Sequence, residues 1–581
     1  MIFQGIFVYN EEWEYGYNKE SKTLRRGVNT LPLQMSKPFL VFLISWTAGI
    51  TVFLATSLLS IYPLYAQENL TITHGIASGD VTDQSAIIWA RANTDSQMHI
   101  MYDTDPGFKS HSFANTTDVA DSATDYTSMI RLQHLEPGTV YYYNVWFSDP
   151  DNATGISNSE LGKFITAPVA GPAEANSLNA SSKEITFLWG GDVGGQMYCR
   201  NAQDGGYSIF NAMASLQPDF FIANGDMIYA DGTCPQVGPT FTVNTTATLD
   251  QNFTWQNIPA DFNSISNSSI DWTNKSKVKE IYQDHWKYNR NDPYFKDFLK
   301  NTSMYSQWDD HEVINDFGSE WSYWNLFNLN RSGYANIVEE GTKAFFHYSP
   351  IDANQSNNNI YRNFSWGNQM DLFITDARSY RDQNHIVDTP ENNKTLFGRD
   401  QVEWLKQHLS NSNATWKIVS NDVPISIPTG SNASILGRDG WADGNETDFS
   451  AYTGFERELA DLLAFIDDQN IENIVFITTD VHFPAFIKYE KDLNGDGDNV
   501  TFHELVSGPL NAVRGGTPFP ALDQTFNPTL LYGEGNLFNF GLVQIKELLG
   551  PEGEDRPHLI AEIRDERGNL REGSYLEIIP R

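Results

Sequence analysis

From about Thr71 to Thr166 the chain alternates apolar and polar residues in short runs, AIIWARA, MHIMYDT and YYYNVWF, separated by turn-rich stretches. Alternation with period two belongs to half-buried strands, so this region predicts an all-β unit. LQHLEPGTVYYY, Leu132–Tyr143, reads as a turn feeding an aromatic strand. So many short strands predict a β-sandwich of the fibronectin type over residues 69–168. The following run Pro168–Ser182, small, polar and containing Pro and Gly, predicts a linker.

After the linker the pattern changes. ITFLWGGD, DFFIANGD, MDLFITD, TWKIVSND and NIVFITTD are continuous apolar runs, each ending in Asp. Between them lie helical patterns such as YSIFNAMASLQ, RDQVEWLKQHLS and FERELADLLAFIDDQ. Buried strands alternating with amphipathic helices predict an α/β domain over residues 183–581. HLIAEI and SYLEII, flanking Arg-Gly-Asn near the C-terminus, predict a β-hairpin, and the Asn/Ser/Thr-rich tract Asn244–Ser276 predicts a surface loop. A length of 581 residues agrees with two or more domains.

The longest apolar run, Pro38–Leu64, carries no charge and is long enough to cross a bilayer. Arg25, Arg26 and Lys37 precede it and the next basic residue is Arg91, which places the N-terminus inside and the rest outside. Residues 37–66 are therefore expected to be a transmembrane anchor or a signal peptide, and residues 1–36 an N-terminal extension, with Met35 as an alternative start. Seventeen N-x-S/T sequons all follow the run. Both features predict an extracytoplasmic protein, membrane-anchored or secreted, that meets a membrane only through this segment. The 38 basic and 74 acidic side chains give a formal net charge of -36, which repels polyanions and excludes nucleic acid as a partner. An anionic small molecule is compatible only where metal ions reverse the local sign. Oligomeric state is not read from these features.

Four apolar strands end in acidic or His-containing tips: Asp192, Asp226, Asp309–Glu312, and Asp480 with His482. In open α/β sheets such tips converge beyond the carboxyl ends of the strands. Carboxylates with a few imidazoles suit Fe(III), Mn, Ca or Zn. A two-metal site needs a bridging carboxylate, ligands on each side and a proton donor. Asp226 is expected as the bridge, Asp192 and His482 on one metal, Asp310 and Asp480 on the other, and His311 as the acid. Cys199 and Cys234 follow the first two tips by seven and eight residues, and in an exported chain they are expected to form a disulfide between those loops.

The order of these tips resembles the calcineurin-like metallophosphoesterases, and more closely the alkaline phosphatase D (PhoD-like) branch. WDDHEVIND at Trp308–Asp316, THGIASGDVTDQSAIIWAR at Thr73–Arg91, FITDARSYR, LGRDGWADG and FHELVSGPL carry the resemblance, which covers roughly Asn69–Arg581. It implies a β-sandwich joined to a four-layer αββα domain. It implies Tyr229 as a phenolate ligand beside Asp192, Asp226 and His482, and two or more metal ions, Fe(III) and Ca, with Zn or Mn as alternatives. Asp310 stands where the wider family has Asn, Asp480 where many relatives have His, and Asn421 is the candidate at the fourth motif. The implied reaction is hydrolysis of a small phosphate ester, by an alkaline phosphatase or by a phosphodiesterase or phospholipase-D-like enzyme. A surface binding or coat protein with a decayed site is the alternative of another class.

Two further features are expectations from the residues. Arg378, with Arg381 nearby, is a candidate to bind substrate phosphate. DLNGDGDN offers Asp492, Asn494, Asp496 and Asp498 as ligands for a structural calcium, or else forms a plain turn.

Overall fold

Aromatic and aliphatic residues alternate along the strand Val140–Asp149, where Tyr141, Tyr143, Val145 and Phe147 are buried. With Ile100 and Phe164 beside them, they face Ile88 and Ile130 in one hydrophobic core. That core lies between two layers. Strands Gln97–Asp103, Ser112–Asn115, Val140–Asp149, Asn152–Ile156 and Glu160–Ile165 form one layer, and Ile72–Gly79, Ser85–Ala92 and Thr127–Gln133 the other. The computed structural model describes residues 69–581 apart from 117, 171–183, 244–250, 319–330, 353–358, 430–438, 443–453, 518 and 551–553. The N-terminal extension and the apolar run Pro38–Leu64 lie outside the described residues. Among the described residues no helix is long and apolar enough to cross a membrane.

The second layer of the sandwich does not end at its own edge. Gly79 pairs in parallel with Met304, which joins the sandwich strands to a nine-stranded sheet. A Cβ at Gly79 would lie 2.5 Å from the Met304 carbonyl oxygen and 2.5 Å from Pro350, so only glycine permits this approach. The linker expected over Pro168–Ser182 falls largely outside the described residues.

The α/β part has two sheets face to face. In the nine-stranded sheet Ile185–Gly190, Phe220–Asn224 and Ser303–Gln307 run parallel. In a seven-stranded sheet Met370–Ile374, Trp416–Ser420, Ile474–Thr478 and Val500–Val506 run parallel. Successive side chains of a strand point to opposite faces. Phe187, Phe220, Ile222, Ile418, Val475 and Ile477 therefore meet between the sheets. On the outer face of the first sheet, Leu188 and Phe221 pack with helices Ile209–Ser215, Lys275–Arg290, Pro293–Leu299 and Arg331–Tyr348. On the outer face of the second, Val419 and Phe476 pack with Arg399–Asn411 and Glu456–Asp468, the latter burying Leu459, Leu462, Leu463 and Ile466 along one stripe. The layers run helix, sheet, sheet, helix. Near the C-terminus Asp555–Asp565 and Leu576–Ile578 pair antiparallel. The tract expected as a loop from Asn244 departs from that reading: Gln251–Gln256 pairs with Val237–Val243 as a hairpin, its alternating Phe253 and Trp255 hidden within a polar composition.

A buried ion pair fastens the sandwich to the second sheet. Arg362, in the strand Arg362–Trp366, grips Asp80 through Nε at 3.1 and 3.0 Å and through a terminal nitrogen at 2.7 Å. Removing one member of such a pair strands the other charge away from water. Asp80→Ala is expected to destabilise the protein by roughly 3–5 kcal/mol, and Asp80→Ala with Arg362→Met by less, as read from urea unfolding midpoints.

Candidate metal centre

The parallel strands of both sheets end at one rim, and the chain turns sharply there. Asp192, Asp226, Asp480 and His482 have φ of 61°, 51°, 68° and 59°. Side chains rarely adopt this left-handed backbone, which costs roughly 1 kcal/mol or more at each position and accumulates at functional sites. Gly225, with φ of 102°, lets the second tip press on the third, since a Cβ there would sit 2.5 Å from the Asp309 Cβ. Glu312 locks the two tips together by accepting from the amides of Asp226 at 3.0 Å, Met227 at 2.6 Å and Asp309 at 2.9 Å.

Three groups of ligand atoms result, each within 4.8 Å: Asp192, Asp226 and His482; Asp226, Asp310 and His311; Asp310, Asp316 and Asp439. Asp226 belongs to the first two groups, the position a bridging carboxylate requires. The Tyr229 hydroxyl lies 3.1 Å from His482 Nε2 and 3.4 Å from Asp192 Oδ1. His482 Nδ1 donates to the Val513 carbonyl at 2.5 Å, which leaves the Nε2 lone pair aimed at Asp192 and Tyr229. His311 Nδ1 donates to Asp231 at 2.7 Å, and its Nε2 faces Asp310 at 3.9 Å and Asp226 at 4.0 Å. Burial opposes charging His311, but Asp231, Asp310 and Asp309 outweigh it and hold the imidazolium up to about 10. Asp231 was missed in the sequence although it closes the run NGDMIYAD, because one more Asp after a strand carries no mark of its partner.

Two sequence expectations need correction. Arg378, expected to meet substrate, is fully buried and bonded to Asp309 at 2.5 Å and Asp439 at 2.9 Å, so its charge is directed inward. Asn421, expected as a ligand, spends its amide on Val423 O at 2.6 Å and on the Thr375 hydroxyl at 2.8 Å. The next residue, Asp422, is buried with neither carboxylate oxygen hydrogen-bonded. Asp422 and Asp480 both stand outside the three ligand groups, against Arg378 at 3.6 and 3.5 Å. The DLNGDGDN loop is exposed over Asp496 and Asp498, and its carboxylates accept from its own amides, Asp492 from Gly495 and Gly497, and Asp496 from Asp498, as in a plain turn. Cys199 and Cys234 form the expected disulfide between the loops after the first two tips.

Too much negative charge is gathered here for the cations present. Burial, then neighbouring carboxylates, pushes Asp192, Asp226, Asp422 and Asp480 well above the usual range. Burial likewise lifts Asp309 to about 6, Glu312 to about 7 and Asp316 to about 8. Asp192 Oδ2, Asp309 Oδ2 and Asp310 Oδ1 are buried without a donor. Buried oxygens aimed at one another fit metal cations and little else.

With this geometry established, comparison with known proteins is decisive on one point. The model of the PhoD-like phosphatase matches residues 188–545. The chain belongs to the PhoD-like phosphatase family. A second model, the PhoD-like phosphatase N-terminal domain, matches residues 60–168. Alkaline phosphatase D of Bacillus subtilis is 24% identical over 438 residues, 71% of this chain and 64% of that protein, so the match spans less than two thirds of the relative's length. The structure of PhoD is similar with a TM-score of 0.59 at 19% identity, covering 86% of this chain and 91% of that one. The purple acid phosphatase PPD1 from yellow lupin gives a TM-score of 0.51 at 13% identity, covering 88% and 74%. Both structures share the fold.

The raised carboxylates make a pH prediction for PhoD-like protein stripped of metal. A carboxyl whose folded pKa exceeds its unfolded value contributes stability at low pH and loses it as pH rises through the folded pKa. Stripped protein is therefore expected to lose melting temperature as pH rises from about 4, the ordinary carboxyl range, through the folded values of Asp309, Glu312 and Asp316, about 6, 7 and 8, and added metal to restore more at pH 8 than at pH 5. Calorimetry with and without chelator checks this.

Proposed function

We propose that the chain is an exported, metal-dependent phosphoesterase acting on small phosphate esters, monoesters foremost. One observation carries the reading: Asp226 is shared by two ligand groups while His311, held by Asp231, stands beside it. Asp192, Asp226, Tyr229 and His482 would hold one metal, and Asp226, Asp310 and Asp422, with Asp480 at the edge, the other. A phenolate donor at Tyr229 favours Fe(III) in the first position, and the all-oxygen set of the second suits Ca, Mn or Zn. When bound, the metals supply Lewis acidity and an activated water for in-line displacement at phosphorus.

The chain's own residues supply the rest. His311 faces the site with Nε2 while Asp231 holds Nδ1, so the ring is oriented to deliver a proton to the departing alkoxide. Glu312 and the strained tips keep the carboxylates in register before substrate arrives. Retention of this whole arrangement weighs against a binding protein with a decayed site.

Export is supported by the apolar run Pro38–Leu64, the disulfide and the sequons. Asn69, Asn115, Asn152, Asn267, Asn274, Asn393, Asn413 and Asn499 are exposed, and Asn301 and Asn363 half-buried. Among the described residues the buried asparagines, Asn224, Asn257, Asn289, Asn384, Asn421, Asn511 and Asn539, all lie outside sequons. A surface open to N-glycosylation is thus part of the proposal.

Purified protein is expected to contain metal by elemental analysis and to hydrolyse p-nitrophenyl phosphate faster than bis-p-nitrophenyl phosphate; the reverse order would make it a phosphodiesterase. His311→Ala should lower kcat by roughly 10²–10⁴-fold with metal content retained. Asp231→Asn should lower it by roughly 10–100-fold. Asp226→Asn should lose both metal and activity, and full activity in that variant would sink the mechanism.

A further inference from the structure

Arg378 lies among the carboxylates assigned to the second metal but makes no contact with the first set. Its Nε donates to Asp309 at 2.5 Å and a terminal nitrogen to Asp439 at 2.9 Å. The same guanidinium reaches Asp480 at 3.5 Å, Asp422 at 3.6 Å and Asp310 at 3.9 Å. Asp310, Asp422 and Asp480 thus have two claims on them, the metal and the arginine. The arginine's claim is permanent. Its side chain is 0% exposed and a guanidinium does not release its proton.

The backbone around Arg378 is fixed as well. Its amide donates to Asp376 Oδ1 at 3.1 Å, Trp308 Nε1 donates to the same oxygen at 2.9 Å, and the Asp376 amide donates to Gln401 at 2.8 Å. Arg381 also lies 3.1 Å from Asp439 Oδ1. The guanidinium is therefore clamped in the cluster and has no open path to solvent or substrate. In contrast, the side chains of Asp192, Tyr229 and His482 bond among themselves, to Asp226 and to Val513, and none of them bonds to Arg378 among the described residues. His311 stands beside Asp226, the carboxylate common to both positions, so Arg378 is the cation that distinguishes them: it lies against the second position and not the first.

Resting on the metal-centre reading above, we propose that Arg378 is a built-in cation of the site, a positioning residue that weakens the second metal position relative to the first and holds its carboxylates together when that metal leaves. The second metal is then exchangeable and the first is not. Substrate phosphate meets a centre whose second cation comes and goes with the supply of free divalent ions, while the acidic cluster stays assembled.

The test is metal binding, followed apart from turnover. Chelator-stripped full-length protein is titrated with Ca2+ by calorimetry, and bound metal is counted by elemental analysis after dialysis. Wild type is expected to show one tight and one weak position. Arg378→Gln is expected to tighten the weak position by at least roughly tenfold, because a competing charge is gone, and to lower the melting temperature of stripped protein more than that of loaded protein. Arg378→Lys keeps the charge and should retain the wild-type difference between positions. Unchanged or weaker second-site binding in Arg378→Gln overturns the proposal, as does equal tightening in Arg378→Lys, which would point to packing. Should Arg378→Gln fail to fold, Arg378→Met in saturating Ca2+ decides: a folded, tight-binding protein supports the proposal, and failure of both variants overturns it. Wild type that binds no metal removes the reading of the site itself, whereas two equal positions remove only the role of Arg378.

Discussion

Asp192, Asp226, Asp309, Asp310 and Asp422 are buried and Asp480 half-buried within one rim, where the cations are Arg378, bonded to Asp309, and His311, beside Asp226 and Asp310. Burying carboxylates in this excess is unfavourable unless protons or metals neutralise them. Much of the surrounding structure follows from holding them there. The strained tips, the Glu312 lock between two loops and the glycine at position 225 set charged groups closer than they would stand in water. The apolar cores on three sides then supply the stability that such strain consumes.

Two shells of hydrogen bonding divide the work at this rim. The inner groups leave oxygens free for cations, as Asp192 Oδ2 and Asp310 Oδ1 do. The outer groups saturate one end of each inner side chain so that only the other end faces the site. Val513 does this for His482, Asp231 for His311, and Asp376 for the backbone of Arg378. Orientation is thus set by protein before any ion arrives, which is the arrangement a catalytic site needs.

The inner groups were largely legible in the sequence and the outer groups were not. Asp192, Asp226, Asp310 and His482 end apolar strands, and the tips of parallel strands converge whatever the loops do. The sandwich showed in its period-two alternation, and the buried parallel strands showed as unbroken apolar runs. Asp231 carried no such mark, since its meaning depends on His311, eighty residues away in sequence. Asn421 and Asp422 are neighbours at a strand end, and their choice depends on which one Thr375 captures, a contact between different strands. Arg378 stood in a loop with Arg381, where a surface role and an internal one read alike; Asp309 and Asp439 draw it inward.

The pairing of Gly79 with Met304 has a consequence for how the parts of the chain depend on one another. The strand Ser303–Gln307 leads directly into Asp309, Asp310 and His311, and the sandwich strand Ile72–Gly79 covers its outer side. Cut away the sandwich, and the strand that carries the Asp309–His311 tip becomes a bare edge, open to pairing with another molecule. The N-terminal region therefore acts as the selvedge of the sheet that carries the acidic rim, and that sheet has no natural border of its own on this side.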